Sequence, residues 1–167
     1  MTVIGADRPG LVESLAAAVA GHGGSWLESR MSRLGGHFVG ILLVEVSSAK
    51  QEALIDALRK LESGGLQVVA HQSPAEPAEP ARKCVSLELV GQDRPGIIRQ
   101  ISSVLTQHGV NVEELQTERV SAPMSGEPLF HARAQLYLPE GCNVPILRRD
   151  LEKIAADLMV DFTLAAR

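Results

Sequence analysis

The hydrophobic pattern in the second half of the chain changes period in a fixed order. "KCVSLELV", Lys83 to Val90, alternates apolar and polar residues as a strand with one covered face does. "PGIIRQISSVLTQHG" then sets Ile97, Ile98, Ile101, Val104 and Leu105 along one side of a helix. "VNVEELQTERV" and "LFHARAQLYL" read as two further strands, joined by "SAPMSGEP". "VPILRRDLEKIAADL" predicts a second helix with Ile146, Leu147, Leu151, Ile154 and Leu158 aligned, and "VDFTL" a closing strand. The first half repeats the order. Met1 to Ile4 is a short strand and Gly10 to His22 a helix; "SWLESRMSRL" and "HFVGILLVEVS" form a hairpin around the turn-forming pair Gly35-Gly36. "QEALIDALRKLE" and "LQVVAHQ" give a helix and a strand. Each half predicts β-α-β-β-α-β, an α+β ferredoxin-like unit whose antiparallel sheet has two helices on one face.

The halves are copies. "GADRPG" at Gly5 to Gly10 returns as "GQDRPG" at Gly91 to Gly96, 86 residues later. The same offset aligns His22-Gly23 with His108-Gly109, and Leu11, Val12, Leu15 and Val19 with Ile97, Ile98, Ile101 and Leu105. One small module has been duplicated. Met1 aligns with Leu87, so the first copy lacks counterparts of Lys83 to Ser86. "SPAEPAEPAR" separates the copies with three prolines and nothing to bury, which predicts a stiff, extended linker. The expected division is a first domain over 1–72, a linker over 73–82 and a second domain over 83–167. Copy two's longer hairpin loop, with Met124 at its tip, reads as a surface insertion or a partner contact.

Composition narrows the function classes. Of 167 residues 45% are hydrophobic, enough for packed cores, yet a single copy is near the size at which one core is marginal. Two copies are expected to lean on one another or on a second chain, most simply as a homodimer. The net charge of −4, without a basic stripe, argues against direct nucleic-acid binding. An aromatic content of 3% argues against base stacking. No apolar run is long enough for a membrane span and no leader pattern precedes the first strand, so a soluble, cytoplasmic protein is expected. Cys84 and Cys142 have neither metal nor redox spacing and read as buried thiols. The histidines form no metal-ligand pattern, and neither G-x-S-x-G nor a phosphate-cradling G-x-x-x-x-G-K occurs. No catalytic residue, metal or cofactor is assigned. His22 and His108 read as residues of the last helical turn, next to a glycine C-cap.

The repeated turn carries the remaining chemistry. Pro9 and Pro95 suit a first helical position, leaving Arg8 and Arg94 at the cap. Asp7 and Asp93 are expected to accept from the first free amides, and Gly10 and Gly96 to let a ligand or backbone come close. Free amides at a helix start suit a carboxylate and a nearby aspartate suits an ammonium, so each turn could hold a small zwitterion. On this view Gly96→Val blocks the site and leaves the fold intact.

The G-x-D-R-P-G strand end, the helix closing on His-Gly and the following "VNVEELQ" resemble ACT domains, regulatory modules that bind amino acids. Two in tandem resemble the glycine cleavage system transcriptional repressor family. The resemblance implies ligand contacts at the first strand-helix loop and the start of the second strand, at an interface between modules. By position these are Asp7, Arg8, Pro9, Gly10 and Leu11 with Ser25, and Asp93, Arg94, Pro95, Gly96 and Ile97 with Asn111. Asn111 matches a family asparagine and Ser25 departs from it, which favours the second site. The resemblance further implies a non-enzymatic sensor that restrains a DNA-binding activator until an amino acid, glycine in that family, relieves the restraint. The alternative is an ACT-type module that controls an amino-acid metabolic enzyme in trans.

Overall fold

The structure, a computed structural model, describes residues 1–72, 83–122 and 126–166. The linker 73–82 and the loop tip at Met124 lie outside the described residues. The chain divides into two compact units, Met1–Glu76 and Pro77–Arg167. The first contains β1 (Thr2–Ala6), α1 (Leu11–Gly21), β2 (Ser25–Leu34), β3 (His37–Glu45), α2 (Ser48–Lys60), a 3-10 turn (Leu61–Gly64) and β4 (Leu66–Val69). The second contains β5 (Lys83–Gln92), α3 (Ile97–Gln107), β6 (Asn111–Ser121), β7 (Pro128–Leu138), α4 (Val144–Leu158) and β8 (Val160–Ala166). Sheet orders are β2-β3-β1-β4 and β6-β7-β5-β8, antiparallel throughout, the ferredoxin-like order that the hydrophobic periods predict.

Each unit has its own core between helices and sheet. In the first, Val3, Leu42, Leu66 and Val68 from the strands meet Leu11, Leu15, Val19, Leu54 and Leu58 from the helices. In the second, alternate residues such as Val85, Leu87, Leu89, Ala132 and Leu136 meet Ile97, Ile101, Leu147 and Leu151. Burying one such side chain contributes about 1.5–3 kcal/mol. Trp26 packs against the first core. Ile146 departs from its expected face and is 40% exposed, because at 100° per residue it points well away from the stripe of Val144, Leu147, Leu151, Ala155 and Leu158 that packs on the sheet. Cys84 and Cys142 are free and only half-buried, where burial was expected.

Gly35 and Gly36 have φ of 58° and 81°, the left-handed pair that a two-residue hairpin requires. Both edge strands β2 and β6 carry a bulge. Register shifts between Trp26 and Glu28, and again between Val112 and Glu114, leaving Leu27 and Glu113 as the extra residues. Among the described residues no helix is long and apolar enough to cross a membrane.

Candidate functional site

The turn between β1 and α1 is built differently from its sequence expectation. Gly10, not Arg8, is the N-cap, and the helix begins at Leu11, so Pro9 precedes the cap instead of opening the helix. Gly10 has φ 90°, ψ −2°, and Gly96 has φ 93°, ψ 0°. Conformation therefore demands glycine here. Space does not, since a Cβ at either position meets nothing nearer than 3.8 Å. Close approach belongs to the first glycine of the hexapeptide. A Cβ at Gly5 would lie 2.5 Å from the Gly65 carbonyl oxygen, and one at Gly91 2.5 Å from Val160.

Neither aspartate caps its helix. Asp7 donates its amide to the Gly36 carbonyl at 2.9 Å, and its carboxylate takes the Arg33 guanidinium at 2.6 Å. Asp93 repeats both contacts, with the Pro128 carbonyl at 3.1 Å and Arg119 at 3.3 Å. Arg33 and Arg119 are themselves 86 residues apart, a repeat signal that the sequence reading passed over. Gly10 has no side chain with which to cap the helix, so the amides of Leu11, Val12 and Glu13, which have no intrahelical partner, find no side-chain acceptor on the N-cap residue. The same holds in α3.

The two turns then diverge. Arg8 donates to the Gly64 carbonyl at 3.0 Å, and a cavity of about 160 Å³ opens beside it, lined by Arg8, Leu11, Ser14, Lys60, Ser63 and Gly64. Two cations, two hydroxyls and a helix start thus share one small hollow. Arg94 instead reaches Gln92 Oε1 at 2.9 Å and the Met159 sulfur at 3.9 Å. Met159 (φ 55°) occupies the left-handed position that Gly65 (φ 82°) fills in the first unit, each just ahead of the residue paired with Gly5 or Gly91. Counting back equally from Leu66 and Val160 sets Ile154 where the first unit has Lys60, and Asp157 where it has Ser63. In the first turn two cations thus flank the helix start, while in the second Arg94 is engaged by Gln92 and Met159.

Ser25 and Asn111 are not brought to the turns of their own units. Ser25 pairs with Glu45 while Ala6 pairs with His37; Asn111 pairs with Tyr137 while Gln92 pairs with Leu129. In both sheets eight residues separate these levels, about 26 Å of strand. Asn111 lies instead on an open depression of about 490 Å³ with Lys83, Tyr137 and Glu140.

His22, His108 and His131 have structural partners. At the C-caps, His22 Nδ1 lies 2.7 Å from the Ala18 carbonyl and His108 Nε2 2.9 Å from Asp150. His131 bridges Glu88 (2.9 Å) and Glu118 (3.2 Å), and Arg133 also bonds Glu88 at 3.0 Å. Hydrogen bonds from His131 and then Arg133 hold the Glu88 carboxyl below the usual range. No His/Cys/Asp/Glu group among the described residues is arranged to hold a metal.

Comparison with known families decides the affiliation. Residues 1–71 match one ACT-domain family profile and residues 85–130 match another. The chain belongs to the ACT-domain family. Over 160 residues this ACT protein is 24% identical to the glycine cleavage system transcriptional repressor of Escherichia coli K12, covering 95% of this chain and 84% of that one. A UPF0237 protein of Methanopyrus kandleri is 35% identical over 74 residues, 44% of this chain and 76% of that one. Among solved structures, a protein of unknown role from Galdieria sulphuraria matches with TM-score 0.82 and 28% identity, over 99% of this chain and 95% of the other. A structure provisionally named a glycine cleavage system transcriptional repressor matches with TM-score 0.73 and 20% identity, over 98% and 92% of the two chains.

Proposed function

We propose that the chain is a non-enzymatic, amino-acid-sensing regulator, and more finely a glycine-responsive repressor of glycine cleavage genes that acts through a DNA-binding activator. The observation that carries the sensing part is the cationic hollow at the Asp7–Leu11 turn. A cavity of about 150 Å³ accommodates a molecule of benzene's bulk, so about 160 Å³ suits a small amino acid. Its carboxylate meets the open amides of α1 together with Arg8 and Lys60, and its ammonium meets the Gly64 carbonyl; Asp7, next to Arg8 but outside the lining, reaches the ligand only if its pair with Arg33 opens. Asp93, Arg94, Pro95, Gly96 and Ile97 form a second, weaker cradle narrowed by Met159. Ser25 and Asn111, distant from the turns of their own units, join such a site only where another module brings them to it.

The repressor part rests on similarity to the named relatives over most of the chain. Mechanistically, the amino acid must bind one state of the regulator better than another. A difference of about 1–2 kcal/mol changes affinity for the activator about five- to thirty-fold.

Titration calorimetry on the folded chain with glycine, serine and the branched amino acids tests the first part. Heat with one small amino acid is expected, and Arg8→Met or Lys60→Met should weaken it by about tenfold each, the worth of a charge-assisted contact. Arg94→Met should change it less. No heat with any amino acid sinks the sensing proposal. Co-purification of a DNA-binding protein that glycine releases supports the second part; recovery of a metabolic enzyme instead supports control in trans.

A further inference from the structure

The two sheets carry opposite chemistry on the faces turned away from their helices. In the first unit, pairing puts Ile4 beside Val39 and Thr2 between Ile41 and Val69, with Leu43 next along β3. Ile4 is 43% exposed, Ile41 64%, Leu43 49% and Val69 53%. In the second unit the same positions, fixed by the same register, hold Val90 beside His131 and Glu88 beside Arg133 and Thr163, with Gln135 next along β7. There Glu88, Glu118, His131 and Arg133 bond one another. The duplicated fold thus shows that these positions tolerate polar residues. The first unit uses them for an apolar surface that a monomer leaves open only at the risk of association.

We propose that this face of the first unit is a self-association surface, packed sheet to sheet against the same face of a second copy of the chain. The surface is self-complementary. Glu28 and Arg30 lie on its β2 edge, opposite Leu43 and Ile41. A two-fold axis running across the strands between those two levels sets Ile41 over the partner's Leu43 and Arg30 over the partner's Glu28, as an isologous interface requires. Four strands about 4.8 Å apart and about five residues deep cover on the order of 300 Å² in projection. Standing side chains give about twice that in accessible area, close to the roughly 800 Å² each partner of a stable dimer contributes. This inference does not depend on amino-acid binding.

Sedimentation velocity and light scattering of the full chain, without amino acids, test it. The wild type is expected to have the mass of two chains at about ten micromolar, within the range of standard-size interfaces. Ile41→Arg with Leu43→Gln, the residues that the second unit carries at those positions, should raise the dimer dissociation constant at least about tenfold with an unchanged circular dichroism spectrum. Should that pair unfold, Val69→Thr and Glu28→Arg serve alone, and Arg30→Glu added to Glu28→Arg should restore association. A single-chain mass up to about 100 µM, or a dimer indifferent to all these variants, overturns the proposal. So does a monomer that gains mass only with a different protein.

Discussion

At Gly10 and Gly96 an L side chain would sit at φ near +90°, so even alanine there should cost about 1–2 kcal/mol, read as a lowered urea midpoint. The expectation that Gly96→Val spares the fold is corrected by that angle. The Asp-Arg-Pro-Gly repeat locates both turns, but the cap is Gly10 or Gly96 and not the aspartate or arginine before it. Aspartate next to a helix start reads locally as a capping residue, whereas its arginine partner lies 26 residues on, in a strand that only the folded sheet brings back. Arg33→Met should cost less than about 1 kcal/mol, because the pair is largely exposed, while freeing the Asp7 carboxylate. If Asp7 assists the ammonium, the same variant tightens amino-acid binding in calorimetry; weaker binding would show that the arginine holds the turn in shape.

Periods of two and 3.6 residues made the strands and helices legible, since each element buries one face. They give the presence of that face and not its width, which is why Ile146, adjacent in sequence to the buried Leu147, lies off the covered stripe of α4. A second signal went unread. "FVGILLV" in β3 hardly alternates, as a strand covered on both sides would not, and its outer residues Ile41 and Leu43 are the apolar surface described above. The matching strand β7 alternates, with His131 and Arg133 outside. Their carboxylate partner on β5, Glu88, has a folded-state pKa below the ordinary range, so its stabilising effect is present above that range and fades as pH falls through the folded value. Glu88→Gln should therefore destabilise the chain at pH 6 and converge with the wild type in strongly acidic buffer, followed by thermal unfolding.

For the whole molecule, two separate cores imply two unfolding events. Among the described residues the first core holds nine buried apolar side chains and the second eighteen, so the first unit should melt at the lower temperature. Calorimetric scans should resolve two transitions, and if the first unit's outer sheet face is covered by another copy, only the lower should rise with protein concentration. The bulges at Leu27 and Glu113 bear on what happens outside such an orderly pair. They sit on the edge strands, where an uninterrupted ladder of open amides and carbonyls would recruit foreign strands. Deleting Leu27 keeps every neighbouring side chain on its present face yet straightens the rim, and the outcome expected is a native-like protein that slowly converts to thioflavin-positive fibrils.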